Sequence, residues 1–325
     1  IKQVILENPV SKIACVTYTN SAVREIEERV NHKNLVVSTI HDFLWDNIKH
    51  FQKELKCSLV ELLNDEESKI KNPEETAVSA DYFNNMEDGI QYKEYLSIKD
   101  GIISHDEVLI LANHIFKTYS KICDILKDKF PFIFIDEYQD TNKKVVEIFL
   151  VHLKQSKKRN IIGFFGDSMQ AIYDDTIGDL NDYKDDIKEV QKKQNRRNPQ
   201  SIMNLANILR KDIDALDQES SKDTNAPNMK NGVIKDGDIK FYYSDNNDID
   251  FIKSKIGWDF EDNKETKILN LTHNLIAPKA GFTNLMEIYD GDKIIDFKNR
   301  IKKYIKDNKI DTDFSDLTFD EVINS

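Results

Sequence analysis

The feature that most constrains the fold is the run Phe132-Ile133-Phe134-Ile135-Asp136-Glu137-Tyr138-Gln139-Asp140. Four consecutive apolar residues read as a fully buried strand, and the two carboxylates that follow sit at its carboxyl end. In an open α/β sheet, ligands bind at that end of the strands. Paired carboxylates there suit nucleotide hydrolysis, because one can hold magnesium through its water shell while the next orients and polarises the attacking water. On that reading Asp136 takes the metal and Glu137 the water. A strand that simply runs out into a solvated acidic turn leaves the same pattern, and the pair alone does not separate the two.

The neighbouring sequence supplies the rest of a sheet. Ile13 to Tyr18 reads as a strand, Asn20 to Val30 as a helix burying Ala22, Val23, Ile26 and Val30, and Leu35 to Val37 as a second strand. A helical stretch through Trp45 and Ile48 comes next. Ser104-His105-Asp106-Glu107 is a capping box, followed by one long amphipathic helix with Val108, Ala112, Ile115, Tyr119, Ile122 and Leu126 on its inner stripe. Ile161 to Phe165 is another buried strand, and Asn198-Pro199 is an N-cap and first-turn proline for a helix burying Ile202, Leu205, Ala206 and Leu209. Strands alternating with helices predict an α/β fold with a parallel sheet flanked by helices.

Length and composition bound the remainder. At 325 residues the chain should hold more than one packed unit. Phe51 to Gly101 is polar with few periodic apolar positions and reads as a mostly helical insertion; Asp212 to Asp238 reads as a polar linker. Beyond it, the strands Ile239 to Tyr243 and Lys267 to Leu271, with a helix around Ile252 to Ile256, restart the α/β alternation. The charged tail Lys293 to Ser325 reads as helical. Neither a membrane span nor a signal peptide is readable, so a cytoplasmic protein is expected. Cys15, Cys57 and Cys123 show no metal or disulfide spacing and read as small hydrophobes. The net charge of −12 argues against gripping nucleic acid by a broad basic surface; a narrow groove lined by rings and backbone amides stays open.

Two further clusters carry chemistry. Gly166-Asp167-Ser168-Met169-Gln170 follows a buried strand, and Gln170 is long enough to reach a phosphate or a water from the neighbouring strand; a plain surface glutamine reads equally well. Asn195-Arg196-Arg197 sets two guanidiniums before a helix, the group that stabilises charge on a transferring phosphoryl. The same two arginines also read as salt-bridge partners of the acidic run from Asp174 to Glu189.

Taken in order, Val16-Thr17-Tyr18-Thr19-Asn20-Ser21-Ala22, Thr39-Ile40-His41-Asp42-Phe43, Ile135-Asp136-Glu137-Tyr138-Gln139-Asp140-Thr141-Asn142, Gly166 to Tyr173, and Asn195-Arg196-Arg197 resemble successive motifs of the UvrD/Rep family of superfamily 1 helicases. The resemblance covers residues 10 to 210, with a weaker likeness at Lys267 to Asn274 and Gly281-Phe282. It implies a RecA-like P-loop NTPase motor domain over 1–50 and 101–212, an insertion over 51–100, the start of a second RecA-like domain over 213–290 and of its insertion over 291–325. It also implies ATP and magnesium as cofactors, single-stranded DNA or DNA with a single-stranded tail as partner, and 3′ to 5′ movement with duplex unwinding. Asp136 and Glu137 match the magnesium and water-activating pair, Gln170 the sensor of the terminal phosphate, and Arg197 the arginine that contacts it. Arg196 stands where the family has a tyrosine against adenine, and a guanidinium can stack there instead. Tyr18, Thr19, Asn20, His41 and Tyr173 fall in motifs that touch single-stranded DNA; from the residues alone, Asn20 reads as a helix N-cap and Tyr18 and His41 as core or edge residues.

The departures matter too. Tyr173 is followed by Asp174-Asp175 where the family continues with an aromatic residue and Arg-Gly, which puts the base-stacking platform in question. No Gly-x-x-x-x-Gly-Lys-Ser/Thr loop is present; in the family it lies shortly before the strand that here is Ile13 to Tyr18. Nothing after Gly281 resembles the last two motifs, so this stretch by itself is not expected to hydrolyse ATP efficiently. The resemblance leaves a rival expectation, a UvrD-like DNA-sensing ATPase that regulates a partner nuclease in anti-phage defence.

Overall fold

The computed structural model describes residues 1–72, 76–172, 176–243, 249–260 and 281–292, together with 262, 264, 266–269, 277–278, 297 and 300. Two compact units emerge, one of residues 1–194 with 207–219 and one of residues 195–206 with 220–325.

The first unit is built on four parallel strands in the order β2-β1-β5-β6: β1 (Ile13–Thr17), β2 (Leu35–Thr39), β5 (Phe132–Asp136) and β6 (Ile161–Phe165). Ile13 lies opposite both Leu35 and Phe132, and Phe132 opposite Ile161, so all four strands begin along one edge and end along the other. Each strand alternates its side chains between two faces. Ile13, Cys15 and Phe134 join Ile5, Ile26 and Val30 beneath α1 (Lys2–Glu7) and α2 (Asn20–Val30). Ala14, Val16, Ile133 and Ile135 enter the larger core on the other face. There they meet α3 (Ile40–Ile48), α4 (Gln52–Leu63), α5 (His105–Thr118), α6 (Ser120–Lys129) and α7 (Lys143–Leu150). Helices on both faces explain why β1 is buried at every position. This is the expected α/β fold with a parallel sheet flanked by helices.

Three expectations for this unit differ from the structure, the first being Ile161 to Phe165, read as a buried strand, which is the edge strand β6 with Ile161 and Phe165 both more than half exposed. The long helix is two helices, broken at Tyr119 (φ −112°, ψ 84°), where Thr118 and Tyr119, weak helix formers, meet Ser120. The capping box of Ser104 and Glu107 opens the first of them as read. Among the described residues of 51–100, the helix α4 gives way to turns, one of them a 3-10 turn at Ile98–Asp100, with a short parallel pair β3 (Gln91–Tyr92) and β4 (Ile102–Ile103) instead of further α-helices. Turn formers such as Asp88-Gly89, with Gly89 at φ 65°, account for this. Ile70, Val78, Phe83 and Ile90 from this stretch share the large core with the helices over the sheet.

Helix α8 (Gln200–Arg210) begins one residue after Pro199. In the second unit, the polar linker contains a hairpin, Met229–Lys230 against Val233–Ile234, turned by Asn231 (φ 54°) and Gly232 (φ 76°). The buried Asn228 side chain donates to the carbonyls of Asn195 (3.2 Å) and Asn198 (3.0 Å), and ties the Arg196-Arg197 segment to this hairpin. Helices α9 (Ile249–Ile256) and α10 (Thr283–Asp290) follow. Ile239 to Tyr243, expected as a strand, finds no ladder partner among the described residues, and Phe241 and Tyr243 are exposed. Of the expected strand Lys267 to Leu271, residues 267–269 are irregular and Asn270 and Leu271 lie outside the described residues. No helix among the described residues is long and apolar enough to cross a membrane.

Candidate functional site

Three strand ends build the site. At the end of β5, Asp136 is the last strand residue and Glu137 turns into the left-handed region (φ 51°, ψ 47°). A non-glycine residue there costs about 1–3 kcal/mol and persists only where its surroundings hold it. The chain then makes one 3-10 turn, Tyr138–Asp140, and enters α7, capped by Asn142, whose side chain accepts from the Lys144 N–H at 2.9 Å. Tyr138 packs edge-on against Phe164 of β6, centroids 6.3 Å apart. Gln139 is only 1% exposed. Its Nε2 donates to Glu137 Oε2 at 2.7 Å, and its Oε1 accepts from the Asp167 N–H at 3.1 Å.

At the end of β6, Gly166 leaves space for that amide: a Cβ on Gly166 would stand 2.2 Å from Gln139 Oε1. Asp167 then organises the next turn. Its carboxylate accepts from the Met169 N–H and from Gln170 Nε2, both at 3.1 Å, and two guanidinium nitrogens of Arg210 grip it at 2.8 Å each. Arg210 is itself buried and shared with Asp214. At the end of β1, Thr17 is buried with no hydrogen-bond partner for its hydroxyl, Tyr18 is 45% exposed, and Thr19 caps α2 by accepting from the Ala22 N–H at 3.2 Å. An open cleft of about 550 Å³ joins the three ends, lined by Thr17, Tyr18, Thr19, Glu137, Gln139, Asp140, Gln170 and Ile172.

The electrostatics are uneven. Burial, and then the neighbouring Glu137 carboxylate, push Asp136 above the usual carboxylate range. Burial also acts on Asp167, but the hydrogen bonds from Arg210, Gln170 and Met169 outweigh it and bring that carboxyl below its ordinary value. Asp140 is raised, first by burial. Among the described residues no cluster of three or more acidic, histidine or cysteine side chains is placed to enclose a metal, so the adjacent Asp136 and Glu137 carboxylates suit a divalent cation only through its own water shell.

Residues 45–191 match the UvrD/REP helicase N-terminal domain. The chain is thus similar to UvrD/Rep-type helicases over these residues. It is 29% identical to the Gabija protein GajB of Bacillus cereus (strain HuB5-5), over 86% of this chain and 52% of that protein. It is also 26% identical to the ATP-dependent DNA helicase PcrA of Staphylococcus epidermidis and of Staphylococcus aureus, over 60% of this chain and 33% of each relative. The chain thus spans about half the length of the first relative and a third of the others.

The cleft brings together Glu137, Gln170, Tyr18 and Thr19 from the residues singled out in the sequence. Asp136 stands directly before Glu137 at the strand end. Asn20 is the first residue of α2 rather than its cap, a role Thr19 takes because its hydroxyl reaches the Ala22 N–H. His41, on the first turn of α3, does not line the cleft; it stacks on His105 at 4.9 Å, and burial, then His105, lower its pKa. Tyr173, with Asp174 and Asp175, lies outside the described residues. In the second unit Arg196 pairs with Asp223 at 2.5 Å, while Arg197 is exposed. The sequence reading quoted Gln139 and Asp167 without giving them roles and passed over Arg210. A fully buried glutamine between Tyr138 and Asp140 leaves no periodic trace, and Arg210 sits 43 residues from its partner.

Proposed function

We propose that the complete protein is an ATP-driven translocase of single-stranded DNA that unwinds duplex in the 3′ to 5′ direction. Asp136 holds magnesium through its water shell, Glu137 orients and polarises the attacking water, and Gln170 and Arg197 contact the terminal phosphate. Arg196 faces the base. Tyr18, Thr19, Asn20, His41 and Tyr173 contact DNA, and residues 213–290 begin a second RecA-like domain with an insertion starting at 291. The observation that carries the reading is the single cleft in which Glu137 and Gln170 stand with Tyr18 and Thr19. Nucleotide chemistry and a strand-contacting turn then share one wall, as coupling hydrolysis to movement requires.

The test is ATP hydrolysis by the complete protein, with and without single-stranded DNA, for wild type and Glu137→Gln at equal magnesium. DNA should stimulate turnover, and the substitution should lower kcat at least about a hundredfold with nucleotide binding retained. Turnover indifferent to DNA and to Glu137 would remove the motor reading.

A second reading is supported by the breadth of the match to Gabija protein GajB, 86% of this chain against 60% for PcrA. On it the chain is a UvrD-like DNA-sensing ATPase subunit that regulates a partner nuclease. Little strand separation by the protein alone, with a nuclease co-purifying, would favour this version.

A further inference from the structure

We propose that Gln139 is a positioning residue, which aims the Glu137 carboxylate and ties it to the turn that carries Gln170; the proposal rests on the hydrolysis reading. Three observations carry it. The first is that both ends of the Gln139 amide are used while the side chain is 1% exposed, Nε2 on Glu137 Oε2 at 2.7 Å and Oε1 on the Asp167 N–H at 3.1 Å. A neutral amide offers a donor at one end and an acceptor at the other; glutamate cannot donate to Glu137 when ionised, and lysine cannot accept from Asp167. Glu137, moreover, stands in the left-handed region, an orientation that no property of glutamate favours, and the bond from Gln139 fixes where its carboxylate points. The third is the space itself, since Gly166 has no Cβ where one would stand 2.2 Å from Gln139 Oε1.

The far side of the link is equally tied. Asp167, which donates its N–H to Gln139, uses its carboxylate to accept from Gln170 Nε2 and from Arg210. An unbroken series of direct hydrogen bonds therefore runs from Glu137 through Gln139 and Asp167 to Gln170. A shift of the Gln170 turn on meeting phosphate is felt at the Glu137 carboxylate through one amide. Without the amide, both groups remain but their spacing is no longer enforced.

The experiment uses the complete protein with single-stranded DNA and magnesium-ATP, and two near-isosteric variants. Gln139→Met keeps the volume and removes both hydrogen bonds. It should lower kcat about tenfold to a hundredfold, the range of one hydrogen bond to a charged group, and change KM for ATP less than about threefold. Gln139→Glu places two carboxylates within bonding distance, where they share a proton and Glu137 holds it more tightly. The acid limb of its kcat profile should move up by about one pH unit or more, with activity returning on the alkaline side. A residue that merely fills space would lower the rate evenly across pH. Wild-type kcat and pH profile in both folded variants would overturn the proposal, as would loss of fold in both, which assigns the amide to stability alone. If only Gln139→Glu fails to fold, the kcat against KM split of Gln139→Met decides. Failure of the underlying reading looks different, because there wild-type turnover is absent or insensitive to Glu137→Gln.

Discussion

Asp136 and Asp167 end adjacent parallel strands, yet their carboxyls are driven in opposite directions. Asp136 lies opposite Phe165, two residues before Asp167, so the sheet delivers both side chains to the same edge. Burial raises both. Asp136 then meets another carboxylate, Glu137, and is raised further; Asp167 meets a bidentate guanidinium, a side-chain amide and a backbone N–H, and is lowered. No ion pair reaches Asp136 among the described residues, whereas Arg210 closes on Asp167 from two nitrogens. A strand tip thus supplies position, and the partners supplied with it decide what the carboxylate is for. One tip keeps an unmet demand for positive charge. The other has its charge met internally and serves as an anchor.

The largest effect should follow from taking the anchor's partner away. Arg210→Met leaves Asp167 and Asp214 facing each other without a cation, and removal of one member of a buried pair costs about 3–5 kcal/mol. Asp167 and Asp214 are each about one-quarter exposed, so a loss of about 2–4 kcal/mol is expected, read from the shift in urea midpoint near neutral pH. The pH dependence has a definite sign. Asp167 titrates below its ordinary value of 3.8 in the folded protein, so its contribution is present above that value and fades as pH falls through the folded one. The gap between wild type and variant should therefore narrow in acid, and a gap independent of pH would show that Arg210 acts by packing alone. A smaller effect is expected of Gly166→Ala. The new methyl would meet Gln139 Oε1 at 2.2 Å and Tyr138 Cδ1 at 2.8 Å, and such overpacking costs about 1–3 kcal/mol. The matched change Gly178→Ala meets nothing within 4 Å and carries only the strain of φ 65°, so it should cost about 1–2 kcal/mol and leave hydrolysis intact. Equal losses of activity in the two would remove the special standing of the Gln139 contact.

Much of the scaffold was legible because burial leaves a direct mark on composition. The runs Ile13 to Val16 and Phe132 to Ile135 are apolar since helices cover the two central strands on both sides, and β1 is buried throughout for that reason, whereas Ile161 to Phe165 is equally apolar at the exposed edge of the sheet. Capping is equally local, so the Ser104 and Glu107 box could be read outright. The break at Tyr119 escaped because the apolar stripe continues in phase across it. Asn231-Gly232 between Met229 and Val233 is a strong hairpin signal that the polar surroundings masked. Ile239 to Tyr243 shows the opposite error, apolar composition without a neighbouring ladder. At the site, residue types announced the carboxylates, but not the left-handed Glu137, which glutamate does not favour, nor the Arg210 grip on Asp167 across 43 residues.

The smallest expected effect is the one that separates the two aspartates most sharply, because its sign reverses. A carboxyl raised on folding binds its proton more tightly in the folded state, so it favours folding at low pH and its contribution is lost as pH rises through the folded value. Above that value, the charge on Asp136 beside Glu137 acts against the fold. Asp136→Asn removes that charge while keeping the shape. Without magnesium, the substitution should raise Tm by about 1–4 °C near neutral pH and give little gain in acid, measured by calorimetry at the two pH values. Asp167→Asn, measured in parallel, should lower Tm, since it strips Arg210 of one of its two carboxylates. Magnesium should stabilise wild type and leave Asp136→Asn unmoved, because a ligand raises stability only through a site the folded protein retains. A drop in Tm for Asp136→Asn without magnesium would mean that this carboxylate is a strut like Asp167, and the contrast between the two strand tips would dissolve.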